Sequence, residues 1–170
     1  MDTQMLIPYR KLDPDLPDLE HKQGNWVDVR VSRVEVNGYR LKWRERLLRK
    51  GNSALVDNVV AYEAMDRVKV GLGFAMVLPS GFEAELRPRS SLFKRRGLLQ
   101  TNSIGVIDST YCGDGDEWFV EFVALFPGAL SQYERIAQFK INMAMPQLVF
   151  NQVTSLGFAD RDGHGSSGVN

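Results

Sequence analysis

Apolar and polar residues alternate with a period of two over several short stretches, and no amphipathic helix of ordinary length develops anywhere along the chain. Val27, Val29 and Val31 alternate with Asp28 and Arg30. Val34 and Val36 resume the pattern after a one-residue shift, which predicts a strand carrying a bulge. Asn37-Gly38 is the preferred pair for a tight hairpin turn, and Tyr39, Leu41 and Trp43 alternate beyond it as the returning strand. Val68, Val70, Leu72, Phe74, Met76 and Leu78 occupy every second position, predicting one strand that Pro79-Ser80-Gly81 turns. Phe82, Ala84 and Leu86 then alternate with Glu83, Glu85 and Arg87, a half-buried strand that delivers Arg89 at its end. Trp118 to Phe126 is apolar on both faces apart from Glu121 and predicts a strand inside a sandwich or barrel. Ala137, Phe139, Ile141, Met143 and Met145 alternate again.

Between these strands the pattern is less decisive. Pro8, Pro14 and Pro17 with interleaved acids make residues 1–25 an extended arm able to pack on a neighbour. Arg44 to Lys50 is either a short helix closed by Gly51 or an extended connection, and Gly51 to Asp66 mixes loop residues with a strand-like Val59-Val60. From Gly157 onward Gly, Ser and Asp dominate, so a mobile tail over 157–170 follows a single domain spanning 1–156. Many short strands with turn signals between them predict an all-β fold.

Composition narrows the function. The 170 residues suit one domain with a proper core, and 21 Lys+Arg against 21 Asp+Glu leave no net field for holding nucleic acid or a membrane surface. A small charged ligand gripped by a local cluster remains compatible with that balance. Cys112 has no intramolecular disulfide partner, the N-terminus lacks an apolar signal core, and no apolar run approaches a membrane span. A soluble, cytoplasmic protein is expected. No grouping of His, Cys and acids has metal-ligand spacing.

The chemistry is concentrated between Leu86 and Asp114. Arg89, Ser90 and Ser91, with backbone N–H groups, suit phosphate oxygens. Asn102 suits the polar edge of a base, and Asp108 beside a phosphate is useful chiefly for handling a water, although Ile-Asp-Ser-Thr also has the character of an ordinary turn. Gly105 and Tyr111 complete the run. Lys94-Arg95-Arg96 is read as a solvated basic turn.

Four motifs stand in a fixed order: Pro88-Arg89-Ser90-Ser91-Leu92, then Asn102 to Gly113 with Gly105, Ile107, Asp108 and Tyr111 in register, then Arg135-Ile136-Ala137-Gln138, then Gly163-His164-Gly165-Ser166-Ser167-Gly168. Together they resemble the trimeric dUTP diphosphatases (dUTPases), with an enlarged segment near residues 39–66. The resemblance implies a dUTPase-like jelly-roll barrel, or β-clip, assembled as a homotrimer with a flexible C-terminal arm, and active sites built from more than one chain. It implies hydrolysis of dUTP to dUMP and pyrophosphate by Mg2+-assisted attack of water on the α-phosphorus. That activity limits uracil incorporation into DNA and supplies dUMP for thymidylate synthesis.

The resemblance also assigns roles. Asp108 positions the water; Asn102, Gly105, Ile107 and Tyr111 select base and sugar, the tyrosine ring leaving no space for a 2′-hydroxyl. Arg89, Ser90, Ser91 and Gln138 bind phosphates, while Arg135 supports the assembly. In the tail Arg161, Ser166 and Ser167 close over the triphosphate, and His164 stands where the family has a base-stacking phenylalanine. Asp28 takes the place of the acid in the family's first motif and would reach a metal through water. Two other readings stay open: a dCTP deaminase or bifunctional enzyme on the same fold, with Glu121 as proton shuttle, and a nucleotide-sensing switch that binds a protein through the enlarged segment.

Overall fold

In the computed structural model, which describes residues 5–21, 24–50 and 53–160, strands follow one another with a single short helix among the described residues. In chain order they are β1 (Tyr9–Lys11), β2 (Val27–Arg30), β3 (Arg33–Val36), β4 (Tyr39–Arg40), β5 (Arg44–Lys50), β6 (Ser53–Tyr62), β7 (Arg67–Gly71), β8 (Phe74–Met76), β9 (Phe82–Pro88), α1 (Leu92–Arg96), β10 (Leu98–Gln100), β11 (Gly105–Ile107), β12 (Phe119–Ala124), β13 (Gly128–Ser131) and β14 (Arg135–Met143). All ladders are antiparallel. Two main sheets, ordered β10-β12-β7-β3-β4 and β11-β9-β14-β2, are joined by a β13-β6-β5 sheet and a small β1-β8 pair. No helix among the described residues is long and apolar enough to cross a membrane.

The core lies between the two main sheets. The inward positions of β2, β3, β7, β9, β12 and β14 (Val29, Val34, Val68, Val70, Ala84, Leu86, Phe122, Ala137) are all but closed to solvent. Trp118, 0% exposed, stands at its centre, with ring centroids of Phe74 and Phe139 each 5.2 Å away. Such tilted and edge-on aromatic contacts add to the burial of the rings themselves.

Several elements differ from the sequence pattern for physical reasons. The shift after Val31 is a change of sheet and not a bulge within one strand. Val31 exchanges backbone hydrogen bonds with Tyr133 and Glu134, after which the Ser32 amide donates to Gly71 and the chain enters the other sheet. The six alternating residues Val68 to Leu78 form two strands, because Gly73 at φ +74° turns the chain from the five-stranded sheet to the β1 pair. Arg44–Lys50 is a strand, paired along its length with β6 from Arg44 opposite Val59 to Lys50 opposite Ser53. The enlarged segment is therefore a β-hairpin.

Tyr62 pins that hairpin at its base. Its hydroxyl donates to the Arg96 carbonyl at 2.7 Å, and burial pushes the phenol up to about 12. Gly128 gives it room, since a Cβ there would sit 2.6 Å from the hydroxyl. Lys94, Arg95 and Arg96 form the last turn of α1, closed by Gly97 at φ +64°. Arg96 is not a solvated cation, as its guanidinium meets Glu134 at 2.5 Å. The N-terminal arm packs on its own chain: β1 pairs with β8, and Leu16 is buried in the core. β12 is interior to its sheet, but only Trp118, Val120, Phe122 and Ala124 are covered. Phe119 on the opposite face is 41% exposed, with the Lys69 ammonium 4.0 Å above its ring.

The Trp118 cluster makes a direct prediction. Trp118→Ala should cost about 3–5 kcal/mol in urea unfolding, the range for removing a fully buried large aromatic, and Trp118→Phe should cost less.

Candidate active site

The ladder of β9 on β14 supports every chemistry-bearing residue of the described chain. β11 pairs with β9 on one side, Gly105 opposite Leu86 and Ile107 opposite Ala84. β2 pairs with β14 on the other, placing Asp28 opposite Gln138, which is itself opposite Arg87.

At the C-terminal end of β9 the structure brings Asp28, Arg89, Arg135 and Gln138 together. One Asp28 oxygen lies 2.9 Å from Arg89 Nε and the other 3.0 Å from Arg135 Nη1, so a single carboxylate holds two guanidiniums side by side. The Gln138 amide donates to the Pro88 carbonyl at 3.3 Å. Ser90 is exposed beyond this cluster, and half-buried Ser91 begins α1 without using its hydroxyl as a cap. Both hydroxyls sit next to a concentration of positive charge, a donor set suited to phosphate.

The loops flanking β11 form the second part. At its entrance Gln100, 7% exposed, donates from one amide nitrogen to the Leu86 carbonyl at 3.2 Å and to Asn102 Oδ1 at 2.9 Å. The Asn102 oxygen thus accepts from Gln100, and its NH2 group is the donor left for a ligand. β11 is an edge strand, so its outer backbone groups are free to meet the edge of a base much as they would meet another strand. Gly105 lies close against β9, where a Cβ would stand 3.1 Å from that of Leu86.

At the exit, Asp108 is fully exposed. The Thr110 hydroxyl and amide both donate to its Oδ1, at 2.5 and 2.7 Å, and these bonds hold the carboxyl below its usual range. Asp108 is thus an ionised, solvent-facing base on a fixed turn. Tyr111 follows on the same turn. Its hydroxyl donates to the Glu117 carbonyl at 3.0 Å, and burial, with the nearby Asp116 and Glu117 charges, keeps the phenol protonated.

The two parts are contiguous in sequence but not in space. Asp108 follows Ile107, which is level with Ala84, whereas Arg89 lies beyond the far end of β9. At ~3.3 Å per strand residue the two stand roughly 17–20 Å apart. One copy of the chain therefore does not bring the acid to the Arg89 cluster. Arg161, His164, Ser166 and Ser167 lie outside the described residues. No group of three or more His, Cys, Asp or Glu among the described residues is placed to hold a metal ion, and Asp28, already shared by two guanidiniums, would reach one only through water. Gln100, Glu117 and Arg33 matter to the site without belonging to any motif, and Thr110 lies inside one without being among its assigned positions. Their roles depend on tertiary contacts that spacing does not show.

No protein-family model matches the chain. Among curated proteins it is 38% identical over 148 residues to the SPbeta prophage-derived deoxyuridine 5'-triphosphate nucleotidohydrolase of Bacillus subtilis, covering 87% of each. It is 34% identical over 168 residues to the deoxyuridine 5'-triphosphate nucleotidohydrolase of Corynebacterium diphtheriae, covering 97% of this chain and 94% of that one. Among solved structures, a dUTPase of Staphylococcus bacteriophage 80alpha bound to dUpNHpp superimposes with a TM-score of 0.67 at 16% identity, covering 98% of this chain and 100% of that one. The Streptococcus mutans dUTPase does so with a TM-score of 0.58 at 19% identity, covering 85% and 98%. The fold is that of those structures, and on the extent of the sequence relationships the chain belongs to the dUTPase family.

Proposed function

We propose that this chain hydrolyses dUTP to dUMP and pyrophosphate, and that it does so as a homotrimer whose sites draw on more than one copy. The observation that carries the reading is Asp108: an exposed carboxylate kept ionised by Thr110, on one turn with Tyr111 and next to the free edge of β11. A uracil lying along that edge meets backbone groups of Gly105 and Ile107 and the donor amide of Asn102. Cytosine presents a donor where uracil presents an acceptor, and leaves those groups unpaired. The Tyr111 ring closes the space at the sugar.

Asp108 accepts a proton from a water as that water attacks the α-phosphorus, and pyrophosphate leaves. The acid must come within hydrogen-bond reach of a water touching the phosphate. A separation of roughly 17–20 Å between Asp108 and Arg89, from ~3.3 Å per strand residue, does not allow this inside one chain. The Arg89, Ser90, Ser91 and Gln138 cluster of one copy therefore serves the Asp108 turn of another. The exposed apolar residues of the C-terminal stretch, among them Met143, Val149, Phe150, Leu156 and Phe158, give such an assembly surface to bury. Residues 157–170 act as the lid, with Arg161, Ser166 and Ser167 on the phosphates and His164 over the base. Mg2+ carried on the triphosphate would neutralise charge there, and Asp28 is the residue of this cluster that would reach it, through a water.

No observation favours a deaminase. Glu121 stands opposite Lys69 in the five-stranded sheet, whereas the base edge offered by β11 belongs to the four-stranded one.

Asp108→Asn should lower pyrophosphate release from dUTP by about 10²–10⁴-fold while calorimetry still detects a non-hydrolysable analogue. Co-refolding Asp108→Asn with Arg89→Ala, each inactive alone, should restore part of the activity by assembling sites with both groups intact. No recovery would place the whole site in one chain. Thr110→Val removes a hydrogen bond to the ionised form of Asp108, so its carboxyl rises toward the ordinary range. The acid limb of the kcat/KM profile should move to higher pH, with the alkaline limb unchanged.

A further inference from the structure

Between Tyr111 and β12 the chain makes a short excursion, Cys112 to Glu117, that is locked to the barrel. Gly113 and Asp116 close a tight turn, the Gly113 amide donating to Asp116 Oδ2 at 2.7 Å and the Asp116 amide to the Gly113 carbonyl at 3.0 Å. Glu117, the next residue, points inward, its side chain only 13% exposed. Its Oε2 accepts from Arg33 Nε at 2.6 Å and lies 2.6 Å from Arg33 Nη2, while its Oε1 accepts from the Gly73 amide at 2.9 Å. Arg33 also pairs with Glu35 beside it on β3.

The barrel is cut to fit this pair. A Cβ on Gly71, directly opposite Arg33 in the β3–β7 ladder, would lie 2.5 Å from Glu117 Oε1 and 2.6 Å from Arg33 Cγ. Gly73 at φ +74° aims its N–H at the carboxylate. The backbone beyond is bonded as well, Leu72 donating to the Trp118 carbonyl and Trp118 to the Phe74 carbonyl. The one group of Glu117 that faces the site is its carbonyl, which receives the Tyr111 hydroxyl.

We infer that Arg33 and Glu117 are positioning residues for sugar selection: their ion pair fixes the Glu117 carbonyl, and through it the tyrosine ring that excludes a ribonucleotide. The inference rests on the assignment of Tyr111 to the sugar. A phenol tethered at its hydroxyl cannot swing away from the turn, and steric exclusion of a single hydroxyl needs a wall that does not yield. If the carbonyl is released, the wall moves and UTP is admitted.

Steady-state kinetics with dUTP and with UTP test this in wild type, Arg33→Met, Glu117→Gln and the conservative Arg33→Lys. Arg33→Met should lower the dUTP-over-UTP ratio of kcat/KM about tenfold, or about 1.4 kcal/mol. The change should come mainly from KM, and Arg33→Lys should recover part of it. Glu117→Gln, which keeps an acceptor for Gly73 but loses the charge pair, should shift the ratio the same way and guards against a variant that fails to fold. Folded variants with an unchanged ratio would overturn the inference. Amide hydrogen exchange separates this from failure of the functional reading, because it needs no substrate. Exchange over residues 108–117 should quicken in Arg33→Met, and unaltered protection would overturn the anchor whatever the protein hydrolyses.

Discussion

The antiparallel ladder of Phe82–Pro88 on Arg135–Met143 is the interaction on which the site depends. It buries Ala84 and Leu86 on one strand and Ala137 and Phe139 on the other, and it is long enough that its two edges carry different chemistry. β2 brings Asp28 to one edge, and β11 adds its outer backbone edge at the other. Because the partners run antiparallel, residues adjacent in sequence are carried to opposite ends: the chain leaves β9 through Arg89, Ser90 and Ser91, returns along β11, and deposits Asp108 where β9 began. The same hydrogen bonds that order the sheet thus keep Asp108 and Arg89 of one copy apart. In the proposed function assembly is a condition of catalysis, and the exposed apolar stretch after Met143 is surface available for it.

Charge is handled locally at both ends. Two guanidiniums brought together by β9 and β14 would repel each other, and the Asp28 carboxylate between them removes most of that repulsion before any phosphate arrives. All three groups are partly exposed, so each contact adds little to stability and the cluster can exchange carboxylate for phosphate at small cost. Thr110 acts in the opposite sense on Asp108, stabilising a charge to which no cation among the described residues is paired. A chain of zero net charge thus keeps a cationic cluster at one end of the ladder and an ionised acid at the other.

Much of this was legible in the sequence because period-two alternation survives wherever one face of a strand is covered, as in Phe82 to Leu86. It misled where the alternation runs across a change of sheet: Val68 to Leu78 reads as one strand since nothing in side-chain polarity marks the turn at Gly73. Arg44–Lys50 was ambiguous because its partner is the equally unpatterned Ser53–Val59, and pairing is not written in either strand alone. The motif residues were recoverable from order and spacing. Their distribution over two ends of a ladder was not, since spacing along the chain is silent about which neighbour a strand chooses. Gln100 and Thr110 were invisible for a related reason, as each acts by a hydrogen bond on a motif residue and carries no distinctive chemistry itself.

The Arg33–Glu117 pair raises an energetic question that bears on specificity. Drawing a carboxylate and a guanidinium into a partly dry crevice costs desolvation, and such a pair is often no better for stability than apolar residues filling the same space. Here the crevice is also kept free of side chains by Gly71 and Gly73, which forgo packing of their own. An arrangement that gains little stability yet is held by three convergent donor contacts makes sense if what it supplies is a fixed position. In the proposed site the backbone edge of β11 discriminates a base by hydrogen bonding alone, because a wrong base leaves polar groups unpaired. A 2′-hydroxyl presents no such mismatch: it can find water or a neighbour in any loose pocket. Only a rigid surface rejects it, and rigidity at an exposed turn has to be brought in from the barrel.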